Sequence, residues 1–115
     1  EETEKHFNQG LNKAKAGDHY GAISDYTKAL LISPNNALAY YSRAASKYSL
    51  KDYKGAIADN NKAIELNPTN NPLAYVNRGL SKENLGDLNG ACADWKKAAG
   101  LGYADAAGWV AKQCN

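Results

Sequence analysis

The chain has 115 residues, with 14 Lys and Arg against 12 Asp and Glu for a formal net charge of +2, so it is long enough for one domain and carries a mixed, balanced surface. No apolar run approaches the roughly 18 residues of a membrane-spanning helix, and no block of like charge tracks a phosphate backbone, so membrane insertion and nucleic-acid binding are both disfavoured. There is no methionine, even at residue 1, which points to a processed product or an excised fragment, with a removed signal peptide as one route.

In chain order the patterning predicts seven helices: 3–16, 19–32, 37–50, 53–66, 73–85, 88–99 and a final one over 103–113. The first six fall into pairs, each with a first (A) and a second (B) helix. Within the pairs the turns are Ala16-Gly17-Asp18, Leu50-Lys51-Asp52 and Leu85-Gly86-Asp87. Gly17 and Gly86 suit the left-handed conformation that ends a helix, and each aspartate can N-cap the helix that follows. Lys51 takes the glycine position in the middle turn and should strain it slightly. Between the pairs, Pro34 and Pro68 stop the B helices, because proline cannot continue a helix.

The pairs are copies of one another. Gly21-Ala22-Ile23, Lys28-Ala29 and Pro34 recur 34 residues later as Gly55-Ala56-Ile57, Lys62-Ala63 and Pro68. A third copy, Gly90-Ala91 with Lys97-Ala98, follows after 35, since Thr69-Asn70-Asn71-Pro72 adds one residue. A fixed period of this length means one supersecondary unit stacked on itself. The pattern resembles the tetratricopeptide repeat: Gly10, Ala22, Tyr26, Ala29 and Pro34 lie at motif positions in the first unit. Tyr40, Ala44, Ala56, Ala63 and Pro68 do so in the second, and Tyr75, Gly79, Ala91, Trp95 and Ala98 in the third. The units are then 3–36, 37–70 and 72–102, followed by a capping helix at 103–115, all in a single domain spanning 1–115. The resemblance implies an all-α α-solenoid of three helix-turn-helix hairpins, wound as a right-handed superhelix with the A helices lining its concave face.

Departures from the motif carry information. Asn60 stands where Tyr26 and Trp95 stand in the other units, so if buried its amide needs partners or costs about 1 to 3 kcal/mol. Gln9, Arg43 and Arg78 replace the motif's leucine, and Lys13, Lys47 and Lys82 its second tyrosine. Arg43 and Arg78 recur at the same period as Asp25, Asp59 and Asp94 on the B helices, which reads as ion pairing inside the stack in preference to an anion site. Tyr103 replaces the closing proline of the third unit and marks the end of the array.

The outward stripe of the A helices is Glu4, Phe7, Leu11 and Ala14, then Leu38, Tyr41, Ala45 and Tyr48, then Leu73, Val76, Leu80 and Glu83. This is mostly apolar or aromatic, and contiguous exposed apolar surface is a mark of a binding site. Leu11 and Ala45 are expected to be covered by the neighbouring A helix. Tyr41 and Tyr48, seven residues apart on one helix face, suit an extended or helical peptide, and Ser42 and Asn77 are candidate contacts for its backbone. The candidate partner-binding residues are therefore Phe7, Leu38, Tyr41, Ser42, Tyr48, Leu73, Val76, Asn77 and Leu80. The resemblance also implies the family's carboxylate clamp, built from lysine, asparagine and arginine on the three A helices. At those places this chain has Phe7, Leu11, Ser42, Leu73 and Asn77, so no clamp is expected.

The chemistry inventory is thin. His6 and His19 lie 13 residues apart without metal-ligand spacing, and there is no phosphate loop or activated nucleophile, so no enzyme activity, metal or cofactor is expected. Cys92 and Cys114 are either a disulfide pinning the terminal helix in an oxidising compartment, such as a periplasm or the exterior, or two small apolar residues in a cytoplasmic protein. The inward candidates of that helix are Ala107, Val110, Ala111 and Cys114, with Trp109 packing on the last B helix. The whole reads as a protein- or peptide-binding adaptor or scaffold; the alternative is a self-association module forming a homo-oligomer.

Overall fold

Three aspartates start three helices. The side chains of Asp18, Asp52 and Asp87 accept hydrogen bonds from the backbone N–H groups of Gly21, Gly55 and Gly90 at 2.9, 3.0 and 2.8 Å. Each bond satisfies a donor that the first helical turn leaves without an internal partner. Glycine at the capped position lets each carboxylate sit close, since a Cβ at Gly21, Gly55 or Gly90 would make the capping side chain shift. The repeated glycine is therefore the clearance of the repeated cap.

The computed structural model describes residues 1–114, as seven helices: α1 (Glu2–Lys15), α2 (His19–Ile32), α3 (Ala37–Ser49), α4 (Tyr53–Leu66), α5 (Pro72–Asn84), α6 (Leu88–Gly100) and α7 (Ala104–Gln113). No strand occurs among the described residues. The fold is the all-α hairpin solenoid that the periodicity implies. α5 starts one residue before the expected place, on Pro72, since proline at the first helical position forfeits only an N–H that is unpaired there anyway. Gly17 and Gly86 have φ of 86° and 87°, and Lys51 follows them into the left-handed region at 65°. The three turns close identically, with Asp18, Asp52 and Asp87 each donating a backbone N–H to the carbonyl of Lys13, Lys47 or Lys82 at 2.8 Å.

The hairpins pack through small residues. Ala22, Ala56 and Ala91, and likewise Ala29, Ala63 and Ala98, are wholly buried. Side-chain size is matched across each hairpin. A Cβ on Gly10 would lie 2.6 Å from the Tyr26 ring, and one on Gly79 would lie 2.6 Å from Trp95 Nε1. The middle unit combines Ala44 with the smaller Asn60 in the corresponding places, both fully buried. The departure at Asn60 is therefore half of a compensating pair, since interiors pack to nearly constant density.

α7 lies against α6 and closes the stack. Its inward residues are Ala106, which is fully buried, with Trp109, Val110 and Cys114 packed against the core of the third unit. Ala107 and Ala111, expected to face inward, are exposed. The helix is rotated relative to that expectation because Trp109, its largest apolar side chain, packs edge-on to Trp95 at 5.7 Å and against Tyr103 at 6.1 Å. A disulfide joins Cys92 to Cys114, closing a loop across 22 positions.

Candidate peptide-binding groove

The groove depends on how the A helices are held, and a charged ladder holds them. Arg43 donates from Nε and Nη2 to both carboxylate oxygens of Asp59, at 2.8 and 2.7 Å, and Lys47 Nζ approaches the same carboxylate at 3.0 Å. One unit later Arg78 grips Asp94 at 2.9 and 2.6 Å, with Lys82 at 3.1 Å. The first unit has Gln9 in the arginine place and keeps only the lysine, Lys13 Nζ lying 2.8 Å from Asp25. The three aspartates are buried, so each needs these donors to offset lost hydration. The Arg43 guanidinium is held above its usual range by the hydrogen-bonded Asp59 carboxylate.

Each arginine also reaches back one hairpin, Arg43 Nη1 to Thr27 Oγ1 at 3.1 Å and Arg78 Nη1 to Asn61 Oδ1 at 2.9 Å. Their guanidinium planes lie over Tyr40 and Tyr75. The lysines that displace the motif's apolar residues thus pin the two helices of each hairpin, and the arginines also link neighbouring units. Sequence spacing exposes the Arg–Asp match; the lysines' share in it is visible only once the helices are paired.

Of the nine candidate groove residues, Leu38 and Leu73 are 57% and 43% exposed, at matching places on α3 and α5. Phe7, Tyr41, Tyr48 and Leu80 are half-buried. Phe7 stacks on Tyr26 at 5.7 Å, and the Tyr48 hydroxyl accepts from Asn84 Nδ2 at 3.3 Å, tying α3 to α5. Burial pushes the phenols of Tyr26 and Tyr41 up from their ordinary range. Val76, Ser42 and Asn77 lie below the surface. Val76 belongs to the core cluster around Trp95, and the Asn77 amide oxygen accepts from Asn60 Nδ2 at 2.7 Å in a fully buried contact. Asn77 is therefore engaged between the second and third units, and the smaller Asn60 leaves the room for this.

Leu11 and Ala45, expected to be covered, are only half-buried and line an opening of ≈ 220 Å³ between the first two units. The covering fails because α1 and α3 touch only sparsely there. His19, Ser46 and Ser49 share its wall, and none of them bears a sequence signal, as they sit near helix ends with no recurring partner. A larger opening of ≈ 410 Å³ beside the disulfide is formed by α6 and the end of α7 alone and is separate from the groove. Among the described residues, no helix is long and apolar enough to cross a membrane, and no group of three or more His, Cys, Asp or Glu could hold a metal ion.

Stacked hairpins with a concave, partly apolar face define a helical-repeat protein-interaction module. Residues 37–70 match the family model described as tetratricopeptide repeat. The tetratricopeptide domain of Arabidopsis OM64 is 30% identical, with a TM-score of 0.86 over 88% of this chain and 83% of that one, and the chain belongs to the tetratricopeptide repeat family. The first tetratricopeptide domain of Spaghetti (RPAP3), solved bound to the HSP90 peptide SRMEEVD, superposes with a TM-score of 0.91 at 27% identity, over 96% of this chain and 89% of that one. The small glutamine-rich tetratricopeptide repeat-containing protein 2 of Saccharomyces cerevisiae is 44% identical over 59 residues, which are 50% of this chain and 17% of that protein. The chain thus spans about a sixth of the yeast relative's length.

Proposed function

We propose that the chain is an adaptor module that holds a peptide or partner protein in the concave face of α1, α3 and α5 by apolar and uncharged polar contacts, without a carboxylate clamp and without catalysis of its own. The observation that carries this is the arrangement around the clamp positions. Phe7, Leu11, Ser42, Leu73 and Asn77 supply no cation, and the adjacent Arg43 and Arg78 are committed to Asp59 and Asp94 inside the hairpins. A free carboxylate needs cationic or several N–H donors to replace its water. The Spaghetti (RPAP3) domain binds its HSP90 peptide on a similar fold; here the acidic end of such a peptide would meet three apolar and two uncharged polar side chains at these positions.

Titrating fluorescently labelled SRMEEVD tests the point directly. No saturable binding is expected, and a micromolar Kd would overturn the clamp-free reading. The groove itself is tested with peptides selected from a displayed library, whose binding should be lost in Tyr41→Ala and in Tyr48→Ala. Light scattering across concentration separates this module from a self-associating one, with a constant monomer mass expected. The Cys92–Cys114 bridge supports assignment to an oxidising compartment.

A further inference from the structure

The charged ladder is uneven, and its first rung is short of a donor. Position for position, Gln9 stands where Arg43 and Arg78 stand, His6 where Tyr40 and Tyr75 stand, and Asp25 where Asp59 and Asp94 stand. Asp59 and Asp94 are each held by a forked guanidinium and a lysine. Asp25 has Lys13 Nζ at 2.8 Å and no guanidinium, yet its side chain is as deeply buried as theirs, 3% exposed against 7% and 5%. A carboxylate taken out of water is stabilised by each donor it gains, and the arginine fork meets both of its oxygens at once.

His6 is underused in the same place. Its Nε2 faces the Glu2 carboxylate at 3.6 Å, which favours the tautomer protonated there and leaves Nδ1 an acceptor, buried and without a partner among the described residues. In the next two units the rings at this position lie under the guanidinium, at 5.6 and 5.3 Å. Glu2, His6, Gln9 and Lys13 form one stripe of α1, distinct from the Glu4, Phe7, Leu11 and Ala14 stripe of the concave face. Gln9 is exposed and Lys13 is half-exposed, so the side chains beside Asp25 are free to move aside. The exposed carboxylates of Glu1 and Glu2 at the head of the stripe favour an approaching cation.

We infer that this first rung is a guanidinium site, filled by an arginine side chain of a partner protein. The arginine enters beside Gln9, forks onto Asp25 as Arg43 forks onto Asp59, and donates to His6 Nδ1. Lys13 stays in place, since in the other two units a lysine and an arginine share one aspartate. A lysine from the partner fits less well, because its ammonium is a point donor that Lys13 already supplies and it has no fork to span both oxygens. The site and the concave groove are independent of each other.

Arginine and lysine, each capped as the N-acetyl methylamide, are titrated at low salt into isotopically labelled protein, with the amide shifts of His6, Gln9, Lys13 and Asp25 as the readout. The capped arginine should saturate these shifts, and the capped lysine should bind several-fold more weakly. Gln9→Arg supplies the guanidinium from within, so it should raise the urea midpoint and abolish the arginine response. Gln9→Ala leaves the site open and should keep that response. Free arginine, whose carboxylate would meet Glu1 and Glu2, should bind no more tightly than the capped form; tighter binding would point to a small-molecule ligand and refute the protein partner. Four results would each overturn the guanidinium site: equal responses to arginine and lysine, an arginine response that persists in Gln9→Arg, a Gln9→Arg midpoint no higher than that of the wild type, or no response to either compound.

Discussion

Gly79→Ala adds a single methyl group at the tightest contact of the third unit. The new Cβ would lie 2.6 Å from Trp95 Nε1, 2.8 Å from Cδ1 and 3.2 Å from the Ala91 carbonyl oxygen. Trp95 has little room to retreat, being 1% exposed and backed by Trp109. Overpacking of this kind costs about 1–3 kcal/mol, against which alanine gains about 1 kcal/mol of helix propensity over glycine. The net expectation is a loss of up to about 2 kcal/mol, or up to about 8 °C in Tm for a domain near this size. Gly108 in α7 supplies the control, because nothing lies within 4 Å of its Cβ position, and Gly108→Ala should gain up to about 1 kcal/mol. Urea unfolding followed by circular dichroism measures both, and the near-ultraviolet signal of the two tryptophans should change only in Gly79→Ala. If Gly79→Ala gains as much stability as Gly108→Ala, the size-matching argument for Gly10 with Tyr26 and Gly79 with Trp95 is wrong.

Further outcomes follow from the turns, the bridge and the phenols. Lys51→Gly relieves a left-handed lysine and should stabilise by about 0.5–1 kcal/mol in chemical denaturation, whereas Gly17→Lys should cost a similar amount. Cys114→Ser opens a loop across 22 positions and should cost about 3 kcal/mol, with amide exchange rising in α7 before it rises in α1 to α4; a loss below about 1 kcal/mol would show that Trp109 alone secures the helix. The Tyr26 and Tyr41 phenols are raised above 10.0 in the folded chain by burial, so the folded state holds those protons more tightly than the unfolded one. Their contribution is present below pH 10 and is lost as pH rises through the folded values, so the urea midpoint should fall above pH 10. That fall should be shallower in Tyr41→Phe, and ultraviolet absorbance should show a tyrosinate fraction that ionises late.

Much of the fold was legible in the residues because its determinants are local. Asp18, Asp52 and Asp87 cap within three residues, Gly17 and Gly86 turn the chain by their own backbone freedom, and Ala22, Ala56 and Ala91 recur at the helix crossings. Less of the groove could be read. Glu4, Leu38 and Leu73 are exposed at matching positions of the A helices, while Val76 and Asn77, chosen by the same stripe, are buried. Val76 is drawn in by the cluster around Trp95, and Asn77 by an asparagine 17 positions away that has room for it only because Asn60 is not aromatic. The phase of α7 differs from its sequence pattern for the same reason, since the contact of Trp109 with Trp95 outweighs the helix's own apolar stripe.

The sequence by itself determined the repeating hairpins, their caps and turns, and the family, since each depends on residue type at a fixed spacing along one or two helices. Only the tertiary structure decided which A-helix side chains reach the surface, how α7 is rotated, and that Leu11 and Ala45 line an open pocket. Those outcomes depend on the tilt between neighbouring hairpins. Across that junction reach the arginines that bond Thr27 and Asn61 and the buried contact of Asn60 with Asn77. Pairs so far apart in the chain have no local signature, and small changes in tilt open or close the space between units.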